Sequence, residues 1–297
     1  MKQLSIGYFA DGPWSHEALG RLLLDESIKV RFICARDDKP DETLKSTAQA
    51  NGIDFFTHPR INSRDFFDMV SVYGCDLFVS MSFNQIFKND LINLPPSKII
   101  NCHASKLPFY RGRNVLNWVL INDESEFGIT VHFIDEGIDT GDIILQRTFK
   151  INDTDDYHTL LLTAYKECSS ILYDSIKLVQ KGNPSTFKQT DIDPIGSYCV
   201  TRIDGDENLD WNQTSRAIFN FVRSICRPGP QARTTLNREI IKVNRVELVL
   251  NAENYKGIPG SVVGIEPASF IVKTADNLIR VTEWDGCKLP KIGDRFR

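Results

Sequence analysis

The sequence lacks several features that mark particular classes of protein. It has no run of 18 consecutive apolar residues, so we predict no transmembrane helix. Its first residues, MKQLSIGYFADG, lack the anatomy of a signal peptide. Its 39 Asp and Glu outnumber its 35 Lys and Arg, and no basic patch stands out, which disfavours a dedicated nucleic-acid-binding protein. We therefore expect a cytoplasmic protein with neither a membrane nor a nucleic acid as partner.

Patterned cysteines are also absent. The seven cysteines are scattered, and their odd number argues against a complete disulfide framework. Neither a CxxC pair nor a Cys/His spacing typical of metal sites occurs. This usage is typical of free thiols in a reducing compartment, so we predict no disulfides and no metal site.

The first hundred residues contain apolar runs of strand type that alternate with helical patterns. One helical pattern begins near Ser15, which we interpret as its N-cap. Such alternation indicates βαβ units. We predict the α/β class, with a Rossmann-like, doubly wound and mostly parallel sheet. The strand-type runs are LSIGYFA, KVRFICA, IDFFTH, DLFVSMS and KIINCH.

The end of the chain has a different pattern. A helical segment, QTSRAIFNFVRSIC, precedes short β-type runs at regular spacing from Arg233 onward. The Asp-, Gly- and Pro-rich residues 183–210 are interpreted as a connection. We therefore predict a catalytic domain over 1–205 and, over 206–297, a linker helix with a small β-barrel-like domain.

Asn101 and His103 stand where the KIINCH run ends. Ligands of open α/β sheets bind beyond the carboxyl ends of the strands. Residues two apart on a strand point to the same side, so one substrate can meet both side chains. For either residue alone, capping of a loop is the commoner explanation.

Residues 135–143, DEGIDTGDI, form an acidic cluster between two β-type runs. An acidic hairpin turn or a cation site would explain it, although the spacing is not that of an EF-hand. The functional alternative is a tight loop that delivers one carboxylate to a partner such as a histidine.

Residues 10–16, ADGPWSH, follow the first predicted strand. They lack GxGxxG, which disfavours a nicotinamide dinucleotide. They form either an ordinary βα turn or a helix N-terminus that faces a ligand phosphate, with Trp14 as an aromatic wall.

NCHASKLPFYRGRNVLNWVLINDE and FGITVHFIDEGIDTGDIILQ together resemble the formyltransferase family that uses 10-formyltetrahydrofolate. The shared pattern is Asn-x-His, Ser-x-Leu-Pro, Tyr-Arg-Gly and, about thirty residues later, Asp-x-Gly-x-Asp-Thr-Gly-Asp. The resemblance covers most of residues 1–230. The tail resembles the small β domain of some members.

The resemblance implies a mechanism in which an amine attacks the formyl carbon of the folate. Asn101 and His103 would flank the carbonyl oxygen, and His103 would move the amine proton toward the leaving nitrogen. By family position the acid that orients His103 is Asp139, rather than Asp135 or Asp142. The family pattern also implies contacts to the folate from Gln85, Ile86, Phe87, Arg113, Asp135, Gly137 and Ile138.

Three branches of the family differ in the amine that they formylate. The glycinamide ribonucleotide branch carries a Gly-Ser or Gly-Asn phosphate loop, from which ADGPWSH departs. The methionyl-tRNA branch is expected to carry a basic insertion where this chain has the acidic CARDDKPDETLKS. The branch that formylates dTDP- or UDP-linked dideoxy amino sugars, for bacterial surface polysaccharides such as the lipopolysaccharide O-antigen, fits better. It implies a homodimer and substrate contacts from Gly12, Trp14, Ser15 and Asn114.

Methionyl-tRNA formylation is the second choice. A hydrolase that passes the formyl group to water is favoured by an appended regulatory domain, and none is evident in the sequence. A non-catalytic binding protein on the same fold would be expected to have lost Asn101, His103 or Asp139, and all three are present.

Overall fold

The computed structural model describes residues 3–182, 184–253, 255–286 and 289–297. The chain divides into two compact units, each built from segments that are distant in sequence. The first unit comprises Met1–Gly112, Phe127–Phe149 and Leu162–Cys199, and the second comprises Arg113–Glu126, Lys150–Leu161 and Val200–Arg297. Within the described ranges, no helix combines the length and apolar character needed to cross a membrane.

Strands and helices alternate through the first part of the chain, as the sequence predicts. The elements up to residue 199 are β1 (Leu4–Ala10), α1 (Pro13–Leu23), β2 (Ile28–Ala35), α2 (Glu42–Ala50), β3 (Asp54–Thr57), α3 (Arg64–Ser71), β4 (Leu77–Met81), α4 (Asn89–Ile92), β5 (Ile99–His103), β6 (Arg111–Gly112), α5 (Val115–Ile121), β7 (Glu126–Phe133), β8 (Ile143–Lys150), α6 (Tyr157–Gln180), α7 (Gln189–Ile192) and β9 (Tyr198–Cys199).

A seven-stranded sheet forms the centre of the first unit. Its strand order is β3-β2-β1-β4-β5-β7-β8. The first five strands are parallel, whereas β5 and β7 run antiparallel. All five residues of β4 are buried, as expected for a strand covered on both faces. The Rossmann-like, mostly parallel prediction is confirmed, and the carboxyl ends of β1, β2, β4 and β5 meet at one edge.

The start of α1 differs from the prediction. The helix begins at Pro13, and Gly12, with φ 68°, is the N-cap. Proline suits the first helical position because its missing N–H would lack a helical partner there. The prediction that Ser15 is the N-cap is therefore wrong. Ser15 lies inside the first turn, where its buried hydroxyl donates to the Gly12 carbonyl at 2.7 Å.

The second unit contains a five-stranded antiparallel sheet, which confirms a small β domain after the Rossmann-like part. Its strand order is β10-β11-β14-β13-β12. Apolar side chains of the preceding helix α8 and of the strands share one core, including Ile218, Val222 and Phe270. These elements are α8 (Ser215–Ile225), β10 (Ala232–Leu236), β11 (Glu239–Leu248), β12 (Val262–Glu266), β13 (Ser269–Lys273) and β14 (Leu278–Asp285).

Candidate active site

Strand β5 places Asn101 and His103 at the carboxyl edge of the sheet. Ile99 and Ile100 bury the start of the strand, and the two polar side chains that follow are half-buried. The strand is paired on both sides: Asn101 lies beside Ser80 of β4 and His132 of β7. Hydrogen-bonded neighbours on both flanks fix the backbone from which both side chains project.

The acidic loop, residues 135–142, is shaped by its own side chains. Asp135 Oδ1 accepts hydrogen bonds from the Gly137 N–H at 3.0 Å and from Thr140 Oγ1 at 2.6 Å. A Cβ atom on Gly141 would lie 1.9 Å from the Phe133 carbonyl oxygen, so only glycine fits there. In this turn Asp139 adopts φ 55°, a left-handed conformation that non-glycine residues adopt only at a cost.

The loop brings the Asp139 carboxylate to the two strand-borne histidines. Its Oδ2 lies 3.7 Å from His103 Nδ1, and its Oδ1 lies 3.6 Å from His132 Nε2. The same Oδ2 accepts a hydrogen bond from the Gly112 N–H at 2.9 Å. Of the acids in the loop, Asp139 is thus the one beside His103, while Asp135 forms the turn.

The surroundings of Asp139 keep it ionised. Burial, the largest influence, raises the pKa of this carboxyl group. The positive charges of His103 and His132 when these rings are protonated, together with the Gly112 N–H, outweigh burial and hold the pKa of Asp139 well below its usual range. Asp139 is therefore a carboxylate across the physiological pH range.

A backbone carbonyl fixes the ring of His103. His103 Nε2 lies 2.9 Å from the Tyr110 carbonyl oxygen, which can only accept, so Nε2 carries a proton. In the neutral ring, Nδ1 then holds the lone pair, and it faces Asp139 at 3.7 Å, beyond hydrogen-bond distance. Tyr110, rather than the carboxylate, therefore selects the tautomer.

His132 orients the amide of Asn101 by the same logic. His132 Nδ1 donates to the Phe133 carbonyl oxygen at 2.7 Å, which leaves Nε2 as the acceptor of the neutral ring. Asn101 Nδ2 lies 3.3 Å from that nitrogen and donates to it. An amide nitrogen has a second hydrogen, which Asn101 can offer to a ligand.

The loop after β4 contains the predicted residues Gln85, Ile86 and Phe87. Gln85 accepts from the Ile61 N–H at 3.1 Å and donates to the His58 carbonyl at 2.7 Å, so its side chain holds the loop. Phe87 is buried in the core. Ile86, in contrast, is 61% exposed, and Ile138 of the acidic loop is 51% exposed. Arg113 is exposed and belongs to the second unit.

The predicted substrate contacts divide between the units. In the first unit, the Gly12 N–H donates to Asp41 at 2.9 Å, and the half-buried Trp14 packs edge-to-face on Tyr165 with 4.9 Å between ring centroids. Ser15 is fully buried. In the second unit, Asn114 is exposed, and its Oδ1 accepts from the Arg202 N–H at 2.9 Å.

The sequence did not predict the residues whose hydrogen bonds position Asn101, His103 and Asp139. The Tyr110 carbonyl and Gly112 N–H belong to the quoted Tyr-Arg-Gly motif, but backbone groups leave no signal in side-chain patterns. His132 is not among the predicted site residues, although period-2 alternation in the β7 run places it on one face with Thr130. Among the described residues, no group of three or more His, Cys, Asp or Glu side chains could hold a metal ion.

Comparison with family models identifies the family to which the chain belongs. Residues 10–175 match the model described as formyl transferase, and residues 203–293 match that of the formyl transferase C-terminal domain. The chain belongs to the formyl transferase family. Formyl transfer is the chemistry of this family, and the arrangement of Asn101, His103 and Asp139 suits it.

Relatives of this formyltransferase carry two kinds of name. A methionyl-tRNA formyltransferase of Pelotomaculum thermopropionicum is 32% identical over 93% of this chain and 90% of its own length. Two solved structures share the fold, each with a TM-score of 0.69. The sugar 3N-formyl transferase WlaRD, solved with dTDP and 5-N-formyl-THF, is 23% identical and covers 98% of this chain and 100% of its own. The Helicobacter canadensis N-formyltransferase, in complex with folinic acid and dTDP-3-aminofucose, is 21% identical, covering 96% and 100%.

Proposed function

We propose that this enzyme transfers the formyl group of 10-formyltetrahydrofolate to the amine of a dTDP- or UDP-linked dideoxy amino sugar. The observation that carries the reaction type is the meeting of Asn101, His103 and an ionised Asp139 at the carboxyl edge of the sheet. This edge is where open α/β sheets bind their ligands.

Asn101 stabilises the oxyanion that forms when the amine attacks the formyl carbon. One hydrogen of its Nδ2 is committed to His132, so the direction of the second is set before substrate binds. A preorganised donor needs no reorientation during the reaction, and loss of one such donor costs about 2.7–4 kcal/mol of transition-state stabilisation.

His103 acts as the proton carrier. Its Nδ1 lone pair accepts the proton of the attacking amine, and the ring then delivers that proton to the leaving folate nitrogen. The imidazolium formed between these steps faces the Asp139 carboxylate at 3.7 Å, which stabilises its positive charge. The Tyr110 carbonyl keeps the ring in place throughout.

The exposed apolar side chains Ile86 and Ile138 are the proposed walls for the pterin. Gln85, Phe87, Asp135 and Gly137 shape the two loops that present them. A hydrogen bond from Asn89 Nδ2 to Glu136 Oε1 ties the acidic loop to helix α4. Arg113 is the proposed cationic contact for the folate. Ligands of folate type in both structural neighbours support this assignment.

The choice of a nucleotide sugar as substrate is supported by charge and by the solved neighbours. The one arginine at the end of β2, Arg36, is engaged by Asp11 at 3.3 Å and by Asp38 at 2.6 Å. An acidic surface of this kind repels the phosphates of an RNA backbone. A protein binds those phosphates with Lys or Arg side chains that are not already paired with acids. The neighbours' nucleotides and amino sugar are small ligands. Gly12, Trp14 and Asn114 are the proposed contacts to such a ligand, and the buried Ser15 acts by holding the Gly12 carbonyl.

Methionyl-tRNA is the second candidate substrate, because the relative at 32% identity bears that name. Binding at physiological salt separates the two. We expect dTDP- or UDP-amino sugars to bind in calorimetric titrations, and initiator tRNA to bind weakly, with an affinity that falls further as salt is added. Tight tRNA binding at physiological salt would overturn the sugar assignment.

A further inference from the structure

We infer that Gln189 is a positioning residue that holds Asp139 in its reactive geometry, and that Arg111 holds Gln189. This inference rests on the role proposed above for Asp139. Gln189 begins the short helix α7, in the stretch between the two family matches at residues 10–175 and 203–293. It is 2% exposed.

The amide of Gln189 bonds to two backbone carbonyls of the acidic loop, that of Asp139 itself and that of Gly141. Its Nε2 donates to the Asp139 carbonyl at 2.7 Å and to the Gly141 carbonyl at 2.8 Å. Asp139 is in the left-handed conformation, which persists only where surrounding contacts over-determine it. Two hydrogen bonds from one amide supply that constraint.

Arg111 determines which way the Gln189 amide faces. Arg111 Nε and Nη2 lie 3.1 and 2.9 Å from Gln189 Oε1. A guanidinium only donates, so the amide oxygen must face it, and Nε2 must then face the acidic loop. Arg111 is itself 6% exposed, and its Nη1 donates to the Ile195 carbonyl at 3.2 Å. Tyr198 covers it, with 5.2 Å between the guanidinium carbon and the ring centroid.

The segment that contains β6, residues 110–112, also reaches His103. Tyr110, just before Arg111, accepts the hydrogen bond of His103 Nε2, and Gly112, just after it, donates to the Asp139 carboxylate. Arg111 and its neighbours therefore hold both partners of the His103–Asp139 pair. Because Gln189 acts on the placement of Asp139, we expect its loss to lower kcat and to leave substrate affinity unchanged.

The test is Gln189→Met in the full chain, with Gln180→Met as the matched control. Gln180 lies in the same unit and donates to the Ser27 carbonyl at 2.9 Å, before β2 and away from the carboxyl edge. Misplacement of a reacting group by about 1 Å costs about 100-fold in rate. We expect kcat of Gln189→Met to fall by about 10- to 100-fold with both KM values nearly unchanged. Gln180→Met should keep wild-type kcat.

Asp139→Asn, alone and combined with Gln189→Met, tests the role of Asp139 separately from the role of Gln189. If Asp139→Asn keeps wild-type kcat, the proposed role of Asp139 fails. If Asp139→Asn is impaired but Gln189→Met is not, the inference about Gln189 fails. If Gln189 acts through Asp139, Gln189→Met adds no further loss in the Asp139→Asn background. An equal loss in both backgrounds means a general structural role and overturns the inference.

Gln189→Glu keeps the test decisive if Gln189→Met folds poorly. The carboxylate retains a partner for Arg111 but places an oxygen where the amide donated to the two carbonyls. We expect a cooperative melt at a somewhat lowered temperature, because two buried carbonyls lose their donor, with the kcat loss of Gln189→Met. Wild-type kcat in this variant overturns the inference.

Discussion

Both units contain non-glycine residues in the left-handed backbone conformation, with positive φ, but these residues serve different purposes. In the second unit, Asn237 and Arg238 have φ of 51° and 72° and join β10 to β11, as both central residues of a type I′ hairpin turn require. In the first unit, Tyr110 and Asp139 have φ of 58° and 55°, and their carbonyl and carboxylate groups face His103. The conformation reverses the chain in one unit and, in the other, places the groups to which we assign a role in catalysis.

The two uses differ in what maintains them. The hairpin turn is set by its immediate neighbours, because Leu236 and Glu239 pair directly across it. Asp139 is held by Gly112, 27 residues away, and by Gln189, 50 residues away. Because of these long-range contacts, the left-handed conformation of Asp139 depends on the folded unit. Strain of this kind is tolerated where the structure over-determines it.

The largest expected effect is the loss of catalysis when His103 or Asp139 of the first unit is replaced. We expect His103→Ala and Asp139→Ala to lower kcat/KM by about 100- to 10,000-fold, because each removes a part of the proton-transfer pair. Folate binding, measured by fluorescence quenching, should stay near that of the wild type.

His158→Ala is the control, because His158 is exposed at the start of α6. It should retain wild-type kcat/KM. A loss of less than about tenfold in either active-site variant, which is about 1.4 kcal/mol, would contradict the assigned roles.

Gly141→Ala should break the acidic loop. The added methyl would overlap the Phe133 carbonyl oxygen, so the loop has to move, at a cost of about 1–3 kcal/mol in the free energy of unfolding and with a large loss of kcat. Gly20→Ala meets no atom within 4 Å and lies within helix α1, so it should be neutral or stabilising. Denaturant titration of both variants checks this, and equal behaviour of the two would contradict the packing argument.

Sequence reasoning identified the candidate site residues but not the contacts that hold them in place. Strand ends and the glycine-flanked acidic run are local patterns, so Asn101, His103 and the loop of Asp139 were found from their neighbours. The bond between Arg111 and Gln189 spans 78 residues and depends on tertiary packing. For the same reason α7 and β9 lay hidden in a segment interpreted as a connection. The N-cap error has another cause: Gly12 can adopt a positive φ, which lets α1 begin three residues earlier than an N-cap at Ser15 predicts.

The ionised state of Asp139 predicts an effect of pH on stability. Its pKa is lower in the folded protein than in the unfolded chain, where it is about 3.9. The carboxylate therefore contributes stability above about pH 4, and that contribution is lost as the pH falls toward the folded-state pKa. Between about pH 5 and 3, the wild type should lose more unfolding free energy than Asp139→Asn. Parallel curves for the two proteins would disprove the coupling.

The smallest effect concerns the hairpin of the second unit. Arg238→Gly removes the cost of a left-handed arginine but adds flexibility to the unfolded chain, so we expect a stabilisation of up to about 1 kcal/mol. Its kcat should equal that of the wild type. Asp139→Gly relieves the same kind of strain and should be inactive. Reduced kcat in Arg238→Gly would mean that the turn has more than a local role.

The most direct test of the account is a formyl-transfer assay with 10-formyltetrahydrofolate. A panel of dTDP- and UDP-linked amino sugars is compared with charged initiator methionyl-tRNA as acceptors. We predict turnover of one amino sugar, abolished by His103→Ala, and none of the tRNA. Turnover of the tRNA alone would contradict the proposed substrate, and turnover of a sugar that survives His103→Ala would contradict the proposed site.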